Sequence, residues 1–212
     1  MFKYIIFDFD GVVIDSHDVQ IKALKESYEQ IVGIGSPPYD EFFKHSGNSL
    51  SNIFNILNLP QEMVPIYNAV SINNIGLIKV KEGIVELLDD LKKKNFTCCL
   101  CTGKSRHRTI QILEKFCLEK YFKTIICSDD VENPKPHPES LIRIQKELGC
   151  DKHNMVMIGD GINDIDAAKQ FGIASVAVTW GDTPKEVLCS LMPNLMAETI
   201  NELKNFLQGG TS

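Results

Sequence analysis

Tyr4-Ile5-Ile6-Phe7-Asp8-Phe9-Asp10-Gly11 is the stretch on which the reading of this chain turns. Its four apolar residues run without alternation, which suits a strand buried on both faces of a parallel sheet. The run ends in two carboxylates one residue apart, followed by a glycine free to turn sharply. Open parallel sheets carry their chemistry at the carboxyl ends of their strands. Two carboxylates held there repel each other unless a cation or a shared proton compensates them. Taken alone, the stretch fits a plain strand and acidic turn equally well, so the decision rests on what surrounds it.

Downstream, His17 to Val80 reads as helical. Ile21, Leu24, Tyr28 and Ile31 form one apolar stripe, broken by Gly33-Ile34-Gly35-Ser36-Pro37-Pro38. A short helix is expected over Tyr39 to Lys44, then a polar turn at His45-Ser46-Gly47-Asn48. Leu50, Ile53, Phe54 and Leu57 mark a third helix capped by Asn48 or Ser49. A fourth is expected from Pro60 to Leu77, with Pro65 tolerable in its first turns. Strand and helix then alternate: helix Glu82 to Lys94, strand Phe96 to Cys101, helix Arg106 to Phe116, strand Lys123 to Cys127. After the rigid loop Asn133-Pro134-Lys135-Pro136-His137-Pro138 come helix Glu139 to Leu148, strand Met155 to Ile158, a helix through Ala167, Ala168 and Phe171, and a last strand at Ala174 to Val178. Gly209-Gly210-Thr211-Ser212 reads as a frayed tail. This alternation predicts an α/β fold with a doubly wound, Rossmann-like parallel sheet. The core would comprise residues 1–16 and 81–212. Residues 17–80 would be a small all-α insertion after the first strand, close enough to the active edge to act as a lid.

With 212 residues, 43% hydrophobic and 24% charged, the chain can bury a sizeable core. A net charge of −6 and a pI near 5.4 argue against sequence-independent nucleic-acid binding, which needs a basic footprint. They do not exclude a small anionic substrate, because a local cation reverses the field inside one pocket. Cys98-Cys99-x-Cys101 lacks the C-x-x-C spacing and lies in an expected strand, so structural thiols are expected and not a zinc site. Seven cysteines, an odd number, fit a reducing cytoplasm. Neither a signal peptide nor a membrane span is expected.

The expected strand ends carry Asp8 and Asp10, then Thr102, then Lys135 in its loop, then Asp160 and Asp164. A hard divalent ion with oxygen ligands, Mg²⁺ by preference, would offset the carboxylate repulsion and bring a phosphate into the site. One carboxylate can then attack phosphorus.

Four ordered motifs, Asp8 to Ser16 (D-F-D-G-V-V-I-D-S), Thr102, Lys135 to Pro138 (K-P-H-P) and Gly159 to Asp164 (G-D-G-I-N-D), resemble those of the haloacid dehalogenase-like superfamily. The resemblance covers nearly the whole chain, and residues 17–80 are similar to that family's four-helix cap. It implies a Mg²⁺-dependent phosphatase acting on a small phosphorylated metabolite such as a sugar phosphate or phosphoglycolate. Asp8 would be the nucleophile and Asp10 the general acid/base. Asp8, the Asp10 backbone carbonyl, Asp160 and Asp164 would hold the metal. Thr102, the Gly103 amide and Lys135 would bind the phosphoryl oxygens, with Gly11 and Lys104 in the same set. His45-Ser46-Gly47-Asn48 stands where capped relatives place a specificity loop, although an ordinary interhelical turn fits it equally. A monomer or weak homodimer is expected, with neither nucleic acid nor membrane as a partner.

The second motif, Thr102-Gly103-Lys104-Ser105, has glycine where many relatives have asparagine. It is not a nucleotide-binding P-loop, since the required upstream glycine is replaced by Cys98-Cys99. With Thr179-Trp180-Gly181, it resembles both a phosphatase subgroup associated with aminohydroxybenzoate biosynthesis and the phosphoglycolate phosphatases. Dehalogenases and phosphonatases lack the second aspartate of the first motif, so Asp10 argues against both. A phosphomutase would keep every core residue and is the enzymatic alternative. A catalytically idle binding module is the alternative from another class, and the intact acidic set argues against it.

Overall fold

In the computed structural model, which describes residues 2–209, the opening apolar run forms β1 (Tyr4–Phe7). The chain continues through β2 (Ile14–Asp15) and four helices, α1 (His17–Ile31), α2 (Tyr39–Lys44), α3 (Leu50–Ile56) and α4 (Met63–Asn73). It returns along β3 (Lys79–Val80), then α5 (Ile84–Lys93), β4 (Thr97–Cys101), α6 (Arg106–Phe116), β5 (Phe122–Ile126) and α7 (Glu139–Leu148). The last elements are β6 (Met155–Gly159), α8 (Ile162–Phe171), β7 (Ala174–Val178), α9 (Lys185–Ser190), β8 (Leu195–Ala197) and α10 (Ile200–Leu207). Of the tail expected to fray, residues 210–212 lie outside the described residues. No helix among the described residues is long and apolar enough to cross a membrane.

The sheet has six parallel strands in the order β5-β4-β1-β6-β7-β8. From β1 the chain first builds outward through β4 to β5. It then crosses to the other side of β1 and builds outward again through β6, β7 and β8. That reversal makes the carboxyl end of β1 a topological switch point, where doubly wound sheets open a crevice. Alternation along each strand supplies both faces. Ile5, Phe7, Cys98 and Leu100 pack with Leu87 and Leu91 of α5 and Leu203 of α10. Ile6, Cys99, Cys101 and Met157 pack on the opposite face with Leu141 and Ile144 of α7 and Ala167 and Ala168 of α8. Burial pushes the thiols of Cys98, Cys99 and Cys101 up to about 12, which keeps them protonated and inert.

Three details depart from the sequence expectation. The strand at Ala174–Val178 is not the last, because β8 extends the sheet beyond it. The helix expected from Pro60 to Leu77 is shorter: α4 ends at Asn73, and one 3₁₀ turn covers Ile75–Leu77. Both linkers of the helical segment carry two-residue strands, and β2 pairs antiparallel with β3. The segment has its own apolar cluster, in which Leu24, Phe42, Phe54, Met63 and Tyr67 from all four helices are buried together. Ser49 caps α3, its hydroxyl accepting from the Asn52 N–H at 3.3 Å. Pro65 falls in the first turn of α4, where its missing N–H costs nothing.

Candidate active site

Asp8 follows directly on β1, anchored by its N–H donating to the Ile158 carbonyl at 2.8 Å. Its side chain is almost wholly buried, as are those of Lys135, Asp160 and Asp164. Lys135 reaches in from the loop after β5, which Glu139 braces by accepting from the Glu132 and Asn133 N–H groups at 2.9 Å each. Its ammonium donates to the Cys101 carbonyl at 2.9 Å and to Asp164 Oδ1 at 2.5 Å, and lies 2.9 Å from Asp8 Oδ1. That last approach is off the hydrogen-bonding direction, so Asp8 Oδ1 is ion-paired but has no hydrogen bond.

Carboxylate oxygens of Asp8, Asp160 and Asp164 lie within 4.8 Å of one another. Three buried carboxylates around one ammonium leave excess negative charge. Burial, then Asp164, push the Asp8 carboxyl up to about 7, with Lys135 opposing. Burial and the neighbouring Asp8 and Asp164 raise Asp160 well above the usual range. Burial works against the Lys135 ammonium, yet Asp164 and Asp8 outweigh it and hold the group protonated. An all-oxygen donor set, surplus negative charge and a buried oxygen without a hydrogen bond together fit a hard divalent cation. Asp160 is tightly enclosed. A Cβ on Gly11 or Gly181 would come within 2.2 or 2.0 Å of its carboxylate, and its Oδ2 accepts from the Asp182 N–H at 2.9 Å. A second trio, Cys127, Asp129 and Asp130, is a poor counterpart. Burial pushes the Cys127 thiol up to about 11, and Arg106 Nε donates to Asp130 at 2.6 Å.

Asp10 points away from this cluster. Its Oδ1 is 3.1 Å from Lys104 Nζ and accepts from the Ser16 hydroxyl, which in turn accepts from Gln20 Nε2 at 2.8 Å. Burial favours the neutral acid, but Lys104, Ser16 and then Arg108 prevail and hold the carboxyl below its ordinary value. Burial and nearby Arg108 pull the Lys104 ammonium down to about 8, against the pull of Asp10. The Lys104 N–H donates to Thr102 Oγ1 at 3.1 Å, which leaves the threonine proton free to point elsewhere.

A cavity of about 200 Å³ separates this edge from the helical segment. Asp8, Asp10, Thr102, Gly103 and Lys104 line one side, and Ser46, Gly47 and Asn48 line the other. Gly103 explains the missing asparagine. A Cβ there would meet the carbonyl oxygens of Gly47 and Asn48 at 2.3 and 2.5 Å, so only glycine lets the turn approach this far. Asn163 ties the same turn down, donating from Nδ2 to the Ser46 carbonyl at 2.9 Å. Two residues of the expected set lie elsewhere. Gly11 faces Asp160, and His45 closes the end of α2, its N–H donating to the Phe42 carbonyl, off the cavity wall.

Four residues of the site had no distinguishing mark in the sequence: Ser16, Tyr67, Arg108 and Asp182. Arg108 lines the cavity from the first turn of α6, its guanidinium 5.3 Å over the Tyr67 ring. His17 and Trp180 serve as supports. His17 Nδ1 is 3.1 Å from Asp182 Oδ1 with its ring stacked on Phe43, and the Trp180 carbonyl accepts from Lys81 Nζ at 2.9 Å.

Residues 5–178 match the family of haloacid dehalogenase-like hydrolases. A protein of Bacillus pumilus named pyrophosphatase PpaX is 27% identical over 202 residues, covering 94% of this chain and 93% of that protein. The probable phosphatase IndB of Dickeya dadantii is 31% identical over 214 residues, covering 94% and 90%. The crystal structure of a predicted phosphatase from Clostridium acetobutylicum superposes with a TM-score of 0.86 at 25% identity, covering 99% of each chain.

Proposed function

This chain belongs to the haloacid dehalogenase-like hydrolases, and from that premise we propose that it is a Mg²⁺-dependent phosphatase of small phosphorylated metabolites. The observation that carries the reading is the position of Asp8, whose carboxylate faces the cavity with Lys135, Asp160 and Asp164 packed behind it. Asp8, the Asp10 carbonyl, Asp160 and Asp164 would hold the ion, which when bound neutralises phosphate charge and draws electron density from phosphorus. The relatives' names, pyrophosphatase and probable phosphatase, support phosphoryl chemistry.

In the first half-reaction an Asp8 oxygen attacks phosphorus while the bond from phosphorus to the leaving oxygen breaks. The Thr102 hydroxyl and Gly103 N–H hold the phosphoryl oxygens, and Lys135 fixes Asp8 and offsets the gathering charge. Asp10 gives a proton to the leaving oxygen. In the second half it takes a proton from the water that attacks phosphorus, and the bond from Asp8 to phosphorus breaks. Asp10 rests as an anion beside Lys104, ready for the second role. An arriving phosphate shares that ammonium and adds negative charge next to Asp10, and both effects raise its carboxyl toward the first role.

Residues 17–80 act in this reading as a cap that limits the substrate to small molecules, in keeping with a cavity of about 200 Å³. The test is phosphate release from a panel of phosphate esters and inorganic diphosphate, after chelation and after Mg²⁺ is restored. Turnover should vanish and return. Full activity in excess chelator, or no release from any compound, overturns the proposal.

A further inference from the structure

Arg108 is only 7% exposed, yet none of the described carboxylates lies within 4.0 Å of its guanidinium. Its nearest polar partner is Asn68 Oδ1, 3.4 Å from Nη1 and at the limit of hydrogen bonding. Arg106, two residues earlier, shows the ordinary arrangement: it is exposed and paired with Asp130 through both Nε and Nη2. The other charged groups of the cavity are already engaged. Asp10 pairs with Lys104 and Asp8 with Lys135, while Asp129 at the rim is exposed and accepts from the Arg106 N–H at 2.7 Å. Phe42, Ile53 and Val64 make the remaining wall apolar. One buried positive charge is therefore left uncompensated inside the cavity that Asp8 faces. Holding it there is unfavourable unless an anion arrives to pair with it.

We propose that Arg108, with Lys104 beside it, is a second anion site that recognises a carboxylate or phosphate carried by the substrate's leaving group. The inference rests on the phosphatase reading for the placement of the transferring phosphoryl group at Asp8. A guanidinium presents paired donors that match either anion and stays charged at every working pH. Tyr67, packed under it, cannot substitute as a charge, because burial holds its phenol neutral. A cavity this small admits only a short link between the two anions. The chemical class is thus inorganic diphosphate or a phosphorylated short hydroxy acid, not a neutral sugar phosphate.

Three substrates separate the cases: ethyl phosphate, 2-phosphoglycolate, which adds a carboxylate to the same two carbons, and inorganic diphosphate. Arg108→Met should lower kcat/KM on the anionic-leaving-group substrates by about 10–100-fold, the range for losing a charge-assisted contact, chiefly through KM. Ethyl phosphate should change by less than about 3-fold, and Arg108→Lys should recover part of the loss. Loss with diphosphate alone assigns a phosphate, loss with phosphoglycolate alone a carboxylate, and either supports the site. Equal loss on all three marks a structural role and overturns it, as does no loss on any. Calorimetric titration with methylenediphosphonate in Mg²⁺ reads the site without turnover. Weaker binding by about tenfold in Arg108→Met supports it, and equal affinity, or binding to neither protein, overturns it. If the wild type hydrolyses none of the three substrates but binds the diphosphonate through Arg108, the phosphatase reading fails while the anion site stands.

Discussion

Lys104 Nζ lies 3.1 Å from Asp10 Oδ1, on the same oxygen that accepts from the Ser16 hydroxyl. The pair sets the charge of Asp10 from the second strand-end loop, so the acid/base group of the proposed reaction depends on a residue outside its own motif. Lys104 is pulled down to about 8, so its ammonium is present below that pH and lost above it. Above pH 8 Asp10 loses its partner. The pH profile of kcat/KM should therefore carry a basic limb near pH 8. Lys104→Arg should push that limb upward, since a guanidinium does not titrate there. Lys104→Met should abolish the limb and raise the acidic limb, because Asp10 is no longer held as an anion. Profiles that coincide for all three proteins would show that Lys104 does not govern Asp10.

The acidic cluster makes stability depend on pH and metal together. Asp8 is raised to about 7 and Asp160 well above its usual value, so the folded state binds these protons more tightly than the unfolded chain. Such groups do not reduce stability below the unfolded value near 4, and their cost grows as pH rises toward the folded value. Asp10 and Asp130, shifted downward, work the other way, but only at pH values below about 4. The metal-free protein should lose thermal stability between pH 5 and pH 7 or above. At this chain length each kcal/mol lost lowers Tm by about 2–4 °C. Mg²⁺ should raise Tm strongly at pH 8 and little at pH 5, where protons compete for the same oxygens. Melting curves with and without chelator decide this, and a Mg²⁺ effect equal at both pH values would contradict it.

Gly103→Ala tests the closed contact between the second motif and the turn at residues 46–48. The added carbon meets two backbone carbonyl oxygens, which cannot swing aside as a flexible side chain would. The turn must retreat by roughly 1 Å, and a misplacement of that size typically costs on the order of 10²-fold in rate. The variant should keep the wild-type Tm within a few degrees, because the clash lies at the mouth of the cavity and not in either apolar cluster. Unchanged kinetics would mean that the approach of Gly47 to Gly103 plays no part in the working enzyme.

The parts of the fold that could be read in advance are those where one local signal dominates. Tyr4–Phe7 and Met155–Ile158 are unbroken apolar runs ending in aspartates, and helices such as α5 repeat apolar residues at three and four. The short strands gave no such signal. Leu195–Ala197 has three residues, one of them buried, and β2 and β3 have two each, stabilised only by pairing with each other. At the site, the carboxylates were legible because acidic residues at strand ends are costly without a purpose. Asp182 contributes a backbone N–H, which any residue type supplies. Arg108 follows Arg106 in a helix start that reads as solvated, and only the approach of Tyr67 and Asn68, some 40 residues earlier in the chain, buries it.

The two aspartates of the first motif should separate cleanly by mutation. Asp8→Asn removes the attacking anion and one oxygen of the acidic cluster, and should abolish activity on every substrate. Asp10→Asn keeps the backbone carbonyl but can neither give nor take a proton, so its cost should depend on the leaving group. Alkoxide leaving groups need the proton, and their phosphoryl transfer should fall by roughly 10²–10⁴-fold. A nitrophenolate leaves without help, so an aryl phosphate should lose less in the first step. Its second step still lacks a base, and the variant should show a burst of phenolate followed by slow turnover. Rapid-mixing measurement of phenolate release, paired with acid-quench trapping of labelled phosphate on the protein, reads both steps. Covalent phosphate trapped at wild-type levels in Asp8→Asn, or normal hydrolysis of ethyl phosphate by Asp10→Asn, would reverse the assignment.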